Sequence, residues 1–202
     1  MTRTNLLLLL CVPVFLCAAA DASALDLGGH DRDGMVLGLD LGYGWNGVNY
    51  DLGELSVEHD VEAFTGGFKI GWARSDKLVG FIGLSGWKRS YNVGVPATAT
   101  NFNFAAEVYW YPTGQGFWAK GGLGAGSLDL YVNTVLTENR IDEKGSGLLT
   151  TLGVGYEFRV SGTAAFGFAY DYTRVDVGDL GPAADAVTEN HVFAMTLRWY
   201  QD

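Results

Sequence analysis

Groups able to carry acid–base, nucleophilic or metal chemistry are sparse in this chain of 202 residues. Histidine occurs only at His30, His59 and His191, too scattered to build a metal site from one local motif. The segment Ser56-Val57-Glu58-His59-Asp60 alone combines a hydroxyl, an imidazole and carboxylates. Residues this close in sequence act as a triad only when a fold turns them toward one another, and no H-x-S motif accompanies them. Carboxylates crowd at Asp51, Glu54, Glu58 and Asp60 and again at Glu138, Asp142 and Glu143, without the spacing of an EF-hand loop. A solvated acidic surface accounts for both groups. No catalytic residue, metal ligand or cofactor is expected. What chemistry remains lies in isolated charges set along apolar segments.

Composition narrows the class of protein. Lys+Arg 13 against Asp+Glu 23 gives a formal net charge of -10, and no basic cluster offsets it. Phosphate neutralisation needs Lys/Arg surfaces, so nucleic acid is excluded as a partner. A hydrophobic content of 48%, with Trp 6, Tyr 10 and Phe 11, excludes disorder, and Gly 29 with only Pro 4 excludes a collagen-like repeat. One domain is expected.

Residues 1–24 have the pattern of a secretory signal peptide: Arg3 supplies the positive start, Leu6 to Leu16 the apolar stretch, and small residues follow. Cleavage is expected after Ala22-Ser23-Ala24, with Ala18-Ala19-Ala20 as the other fitting site. The apolar run is shorter than the roughly 20 residues of a spanning helix. Cys11 and Cys17 both fall inside it, each preceded by leucine, so neither a lipid anchor nor a disulfide or thiol chemistry of the mature chain is expected. Residues 25–34 read as a short polar leader, and 35–202 as the folded domain.

Beyond Gly34 the apolar residues recur with period two, the signature of strands. Eight strands are predicted: Met35 to Asn46, Val61 to Arg74, Leu78 to Tyr91, Asn101 to Tyr111, Gly116 to Val132, Gly147 to Val160, Thr163 to Val177 and Asn190 to Tyr200. In the first, Leu37, Leu39, Leu41, Tyr43 and Trp45 share one face, and Gly38, Asp40, Gly42 and Gly44 share the other. The third strand has two competing phases, with Leu78, Ile82 and Leu84 against Val79, Phe81 and Trp87, and the fifth is expected to bulge near Ser127. The connections 75–77, 113–115 and 161–162 are tight, whereas 47–60, 92–99, 133–144 and 178–189 are long, so short and long alternate.

The second face of most strands carries glycine, alanine, threonine and isolated charges, too small and polar for the core of a soluble barrel and suited to the interior of a narrow membrane barrel. With strand direction alternating, Trp72, Trp110, Phe117, Phe158, Phe166 and Trp199 fall at one rim, and Trp45, Phe64, Phe102, Tyr172 and Phe193 at the other. Two such girdles match the two interfaces of a bilayer. Eight residue steps from Phe64 to Trp72 correspond to about 20 Å of height at about 3.3 Å per residue and a tilt near 40°. The fold expected is all-β, an eight-stranded antiparallel up-and-down transmembrane β-barrel. Its interior would collect Asp40, Lys69, Arg89, Glu107, Lys120, Glu157, Arg159, Asp171 and Arg198, with Arg198 of the last strand against Asp40 of the first. Buried charges need partners, so these side chains are expected to pair into a ladder that fills the lumen as a structural plug; rearranging pairs would make the same ladder a narrow gated pore.

From Met35 to Tyr200 the chain resembles, in architecture, the small eight-stranded outer-membrane β-barrels of the OmpA/OmpX type. His191 to Tyr200 looks like that family's C-terminal assembly signal, which normally closes on an aromatic residue, whereas Gln201 and Asp202 follow here. The resemblance implies a bacterial outer-membrane location with both termini periplasmic and the long loops outside. The partners it implies are outer-membrane lipid, lipopolysaccharide and, during insertion, the barrel-assembly machinery, for a monomer without cofactor. A chain ending at the barrel is expected to lack a peptidoglycan-binding domain. The implied role is structural or a surface interaction. The alternatives are a lipid-A-modifying enzyme of the acyl-transferring or deacylating kind, or the narrow gated pore.

Overall fold

The computed structural model describes residues 32–52, 55–92, 96–133, 140–180 and 183–201; the expected signal peptide and residues 25–31 of the expected leader lie outside them. Eight strands, β1 (Gly34–Leu52), β2 (Leu55–Ser75), β3 (Leu78–Asn92), β4 (Pro96–Trp110), β5 (Phe117–Asn133), β6 (Arg140–Arg159), β7 (Ala164–Leu180) and β8 (Ala183–Gln201), form a closed barrel in chain order. Every neighbouring pair is antiparallel, and β8 returns to β1 from Met35↔Gln201 to Asp51↔Ala184. Closure leaves no edge within the paired zone, which is the condition for a sheet to cross lipid. Both ends of the barrel chain lie at one rim, termed here the termini end.

Period-two alternation dictates what each wall carries. Phe64, Trp72, Leu41, Leu123 and Ile82 stand exposed on the outside, at 66% and 62% exposure for the first two. A contiguous apolar exterior of this extent marks a surface made for lipid. Exterior charge begins just past the far aromatic girdle, at Glu62, Lys88, Asp129, Lys144, Arg174 and Glu189. The third strand takes one phase: Val79, Phe81 and Trp87 are buried inside, and Leu78, Ile82 and Leu84 face out.

Three sequence expectations are corrected. The strands run farther toward the far end than their apolar cores, so much of 47–60, 92–99, 133–144 and 178–189 is strand, leaving connections of only 53–54, 93–95, 134–139 and 181–182 outside the described residues. Beyond the lipid both faces of a strand meet polar surroundings, so alternation fades from the sequence while pairing continues. At the termini end, the tight turn expected at 113–115 is a longer connection over 111–116. The bulge expected near Ser127 is missing, since both ladders pass through it without a shift, at Phe102↔Ser127 and at Ser127↔Ser146; the apparent change of phase arises because Leu128 faces inward and is fully buried. Register shifts occur instead between Asn49 and Asp51, Ala73 and Ser75, and Asp176 and Leu180.

The inner wall is also more apolar than expected. Phe81, Tyr109, Tyr111, Trp118 and Tyr200 join small residues in one buried cluster toward the termini end, and Trp87, Leu128, Leu149, Val175 and Val48 join another toward the far end. Beyond Thr65↔Trp87 the β2–β3 ladder stops, and beyond Leu148↔Asp176 so does that of β6–β7, although β1–β2, β3–β4, β5–β6 and β7–β8 all continue. The far-end wall thus divides into two sheets, β7–β8–β1–β2 and β3–β4–β5–β6. A barrel closed around its whole circumference resists detergent. The unboiled protein is expected to migrate on a denaturing gel at a mobility different from the boiled one; identical mobilities would contradict the closed barrel.

Candidate functional site

The chemistry of this molecule is concentrated in its lumen, where five buried side chains and the half-buried Asp171 form one continuous chain of alternating charge. Arg198 Nη1 on β8 lies 2.6 Å from Asp40 Oδ1 on β1, and Asp40 Oδ2 lies 3.1 Å from Lys69 Nζ on β2. Lys69 Nζ reaches Glu107 Oε2 on β4 at 2.6 Å, and Glu107 Oε1 reaches Lys120 Nζ on β5 at 3.1 Å. Lys120 Nζ then meets Asp171 Oδ1 on β7 at 3.0 Å. Three cations and three anions cancel. Neutrality matters because an uncompensated charge in such surroundings costs several kcal/mol, about 3–5 when one partner of a buried pair is removed.

The surroundings explain why the chain is continuous. Lys69 Nζ also donates to the hydroxyl of Tyr109 at 2.7 Å, so all three of its protons are engaged. Tyr109 is packed edge-on by Phe81 at 4.8 Å and against Trp118 at 4.7 Å, an aromatic shelf beneath the ammonium groups. Long charged side chains need space across the sheet, and the directly paired position is repeatedly glycine: Gly38 opposite Arg198, Gly67 opposite Asp40, Gly83 opposite Lys69, Gly122 opposite Glu107 and Gly153 between Lys120 and Asp171. At Gly153 an added Cβ would collide with Asp171 Oδ1 and lie 2.8 Å from Lys120 Cε. A cavity of about 60 Å³ remains beside the chain, lined by Asp40, Lys69, Glu107 and Lys120 with Asn103 and Asn190 on its far side. That is room for a few water molecules.

A second buried pair closes the termini end. Glu157 on β6 is matched by Arg32, whose Nη2 lies 2.8 Å from Glu157 Oε1. Tyr200 Oη donates to the same oxygen at 2.8 Å and Tyr111 Oη to Oε2 at 3.1 Å. The Arg32 guanidinium lies 3.6 Å from the centre of the Tyr111 ring. Burial, then the adjacent Glu157 carboxylate, holds the Tyr111 phenol well above its usual range, so it remains a hydrogen-bond donor. Sequence reading places residue 32 in a leader outside the barrel and misses this role, because a lone arginine in a polar segment carries no periodic signal.

Of the nine charges expected in the lumen, Asp40, Lys69, Glu107, Lys120, Asp171 and Arg198 come together and Glu157 lies in the second pair. The remaining two stand elsewhere. Arg89 has the inward parity of Trp87 but is exposed near the far end, and Arg159 bends to the rim, donating to the carbonyls of Ser161 and Gly162 and lying over the Tyr200 ring at 4.9 Å. Both strands run past the lipid zone, so inward parity does not mean an enclosed site. The girdle residues Trp45, Phe64, Trp72, Phe102, Trp110, Phe117, Phe158, Phe166, Tyr172, Phe193 and Trp199 all lie on the outward face. The side chains of Ser56 to Asp60 lie outside the described residues. Among the described residues no group of three His, Cys, Asp or Glu could hold a metal ion.

The model of a family described as "outer membrane protein beta-barrel domain" matches residues 7–200. Among solved structures, the Ail attachment invasion locus protein of Yersinia pestis matches with a TM-score of 0.57 at 14% identity, over 83% of this chain and 99% of that one. Neisserial surface protein A matches with a TM-score of 0.56 at 13% identity, over 84% of this chain and 99% of that one. These likenesses concern the fold. No curated protein matches the sequence.

The charge chain predicts a coupled pair of substitutions. Lys120→Met removes the ion pair that Asp171 makes among the described residues and is expected to destabilise the barrel by about 3–5 kcal/mol in urea titrations from lipid vesicles. Adding Asp171→Asn restores neutrality and is expected to recover about half of that loss or more. Additive losses would contradict the coupling.

Proposed function

We propose, from the premise that the chain belongs to the outer membrane protein β-barrel domain family, that it is an integral outer-membrane barrel with a sealed lumen whose task is carried by the surface it presents beyond the membrane. The observation that carries this reading is the occlusion of the lumen at successive levels. The Arg32–Glu157 pair fills the termini end, the aromatic shelf and the charge chain fill the middle, and the cluster around Trp87, Leu128 and Leu149 fills the far half. The cavity of about 60 Å³ beside the charge chain has room for a few water molecules only, which supports this reading. With no pore to operate, the charges stabilise and the exterior end interacts.

In this reading the termini end faces the periplasm and the divided far-end wall faces outward. The β2–β3 and β6–β7 ladders halt at Thr65 and at Leu148, and strand edges of this kind accept extended peptide segments. Outer-membrane lipid and lipopolysaccharide surround the girdles, the barrel-assembly machinery inserts the chain, and the monomer is the working unit. Ail has been solved with the heparin analogue sucrose octasulfate; a net charge of -10 makes a sulfated polyanion an unsuitable ligand for this chain. No catalytic role is assigned, and residues 1–24 act as the signal peptide.

Two measurements check these assignments. Purified protein reconstituted in planar bilayers is expected to give no unitary current steps, whereas reproducible steps abolished by Glu107→Gln would favour a gate made by the charge chain. Lipid A from cells with and without the protein is expected to show identical mass spectra; a shift by one acyl chain would overturn the non-catalytic assignment.

A further inference from the structure

Arg32 precedes the first residue of β1 by two positions and yet is among the most buried side chains, at 1% exposure. Its five N–H groups are all engaged: Nε and Nη2 on Glu157 Oε1, Nη1 on the carbonyls of Asp76 and Gly114, and Nη2 also on the carbonyl of Gln115. The Arg32 backbone N–H donates to Asp76 Oδ1 at 3.0 Å. A guanidinium is the one side chain that supplies five donors in a fixed plane. The site that receives it is assembled from the β2–β3 turn, the β4–β5 connection and β6, at separations of 44, 82, 83 and 125 residues. Gly114, at φ 69°, takes a left-handed conformation that suits glycine and bends the connection so that successive carbonyls face the guanidinium.

The bond pattern ties this residue to closure of the barrel. The last strand zips to the first, and the two sides of that seam meet again on one oxygen: Glu157 Oε1 accepts from Arg32, which leads into β1, and from Tyr200, which lies on β8. None of these partners neighbours Arg32 in sequence, so the receiving site exists only when the strands that carry it have come together.

We propose that Arg32 is a closure lock, which docks after β1 and β8 have zipped and then holds the seam shut from the termini end. A lock formed after the rate-limiting step acts on opening and not on closing. Interactions absent from the folding transition state appear in the unfolding rate alone. The loss of a set of charge-assisted hydrogen bonds then reads as a change in unfolding rate of about tenfold or more.

The test is a pair of rate measurements on the chain refolded from urea into phosphatidylcholine vesicles, followed by the folded band on unheated gels. Arg32→Ala is expected to fold at the rate of the unsubstituted protein and to unfold about tenfold faster or more. Arg32→Lys keeps the charge and loses the planar fork, so its unfolding rate is expected near that of Arg32→Ala. An unchanged unfolding rate for Arg32→Ala would overturn the lock. So would a folding rate lowered by as much as unfolding is raised, because docking would then precede closure. Failure of Arg32→Ala to fold would overturn it too, since a contact made after closure is not required for closure. An unfolding rate for Arg32→Lys equal to that of the unsubstituted protein would show that charge alone, without the five-donor fit, holds the site, and would also overturn it.

Discussion

Everything inside this barrel depends on one electrostatic constraint: charges enclosed between two apolar layers must neutralise one another where they stand. Six side chains from β8, β1, β2, β4, β5 and β7 meet it by alternating in sign, each interior member shared between two partners. Sharing makes the arrangement collective. Glu107 bridges two lysines and Lys69 bridges two carboxylates, so no member can be withdrawn without exposing its neighbours to the full cost of an unpaired buried charge. The same constraint selects glycine at the cross-strand positions, because only a missing side chain leaves width for lysine and arginine in a narrow barrel. It also accounts for the aromatic shelf, where the Tyr109 hydroxyl completes the bonding of Lys69.

The two ends of the molecule solve different problems. At the termini end the Arg32–Glu157 pair draws the chain into a compact mouth, with two tyrosine hydroxyls on Glu157 and three backbone carbonyls on Arg32. At the far end the strands continue past the aromatic girdle and the wall separates into two sheets held by their own pairings. A proposed role at that far surface needs a rigid base. The charge chain supplies it, since it cross-links the wall on the inside while lipid covers the outside.

Much of this was legible in the sequence, for physical reasons that differ by element. A wall with lipid on one side and a packed lumen on the other must alternate strictly, so Leu37 to Trp45 and Phe102 to Trp110 declare both strand and face. The pairing of Asp40 with Arg198 followed from closure, which forces the first strand against the last. Less legible were features set by tertiary context. Phe81 and Trp87 compete in hydrophobicity with Ile82 and Leu84, and only the inner packing of Phe81 on Tyr109 decides the phase. Arg89 and Arg159 carry inward parity at heights where the lumen has ended. Arg32 has no pattern at all, and its partners lie far away in the chain.

The most direct test of the charge chain is nitrogen-15 NMR of the lysine ammonium groups in lipid nanodiscs. Lys69 and Lys120 are expected to give protected ammonium signals that exchange slowly with water, each vanishing in its own Lys→Arg variant while the barrel stays folded. Ammonium protons of both residues exchanging as fast as those of the surface residue Lys77 would contradict a closed, neutral chain of charges in the lumen.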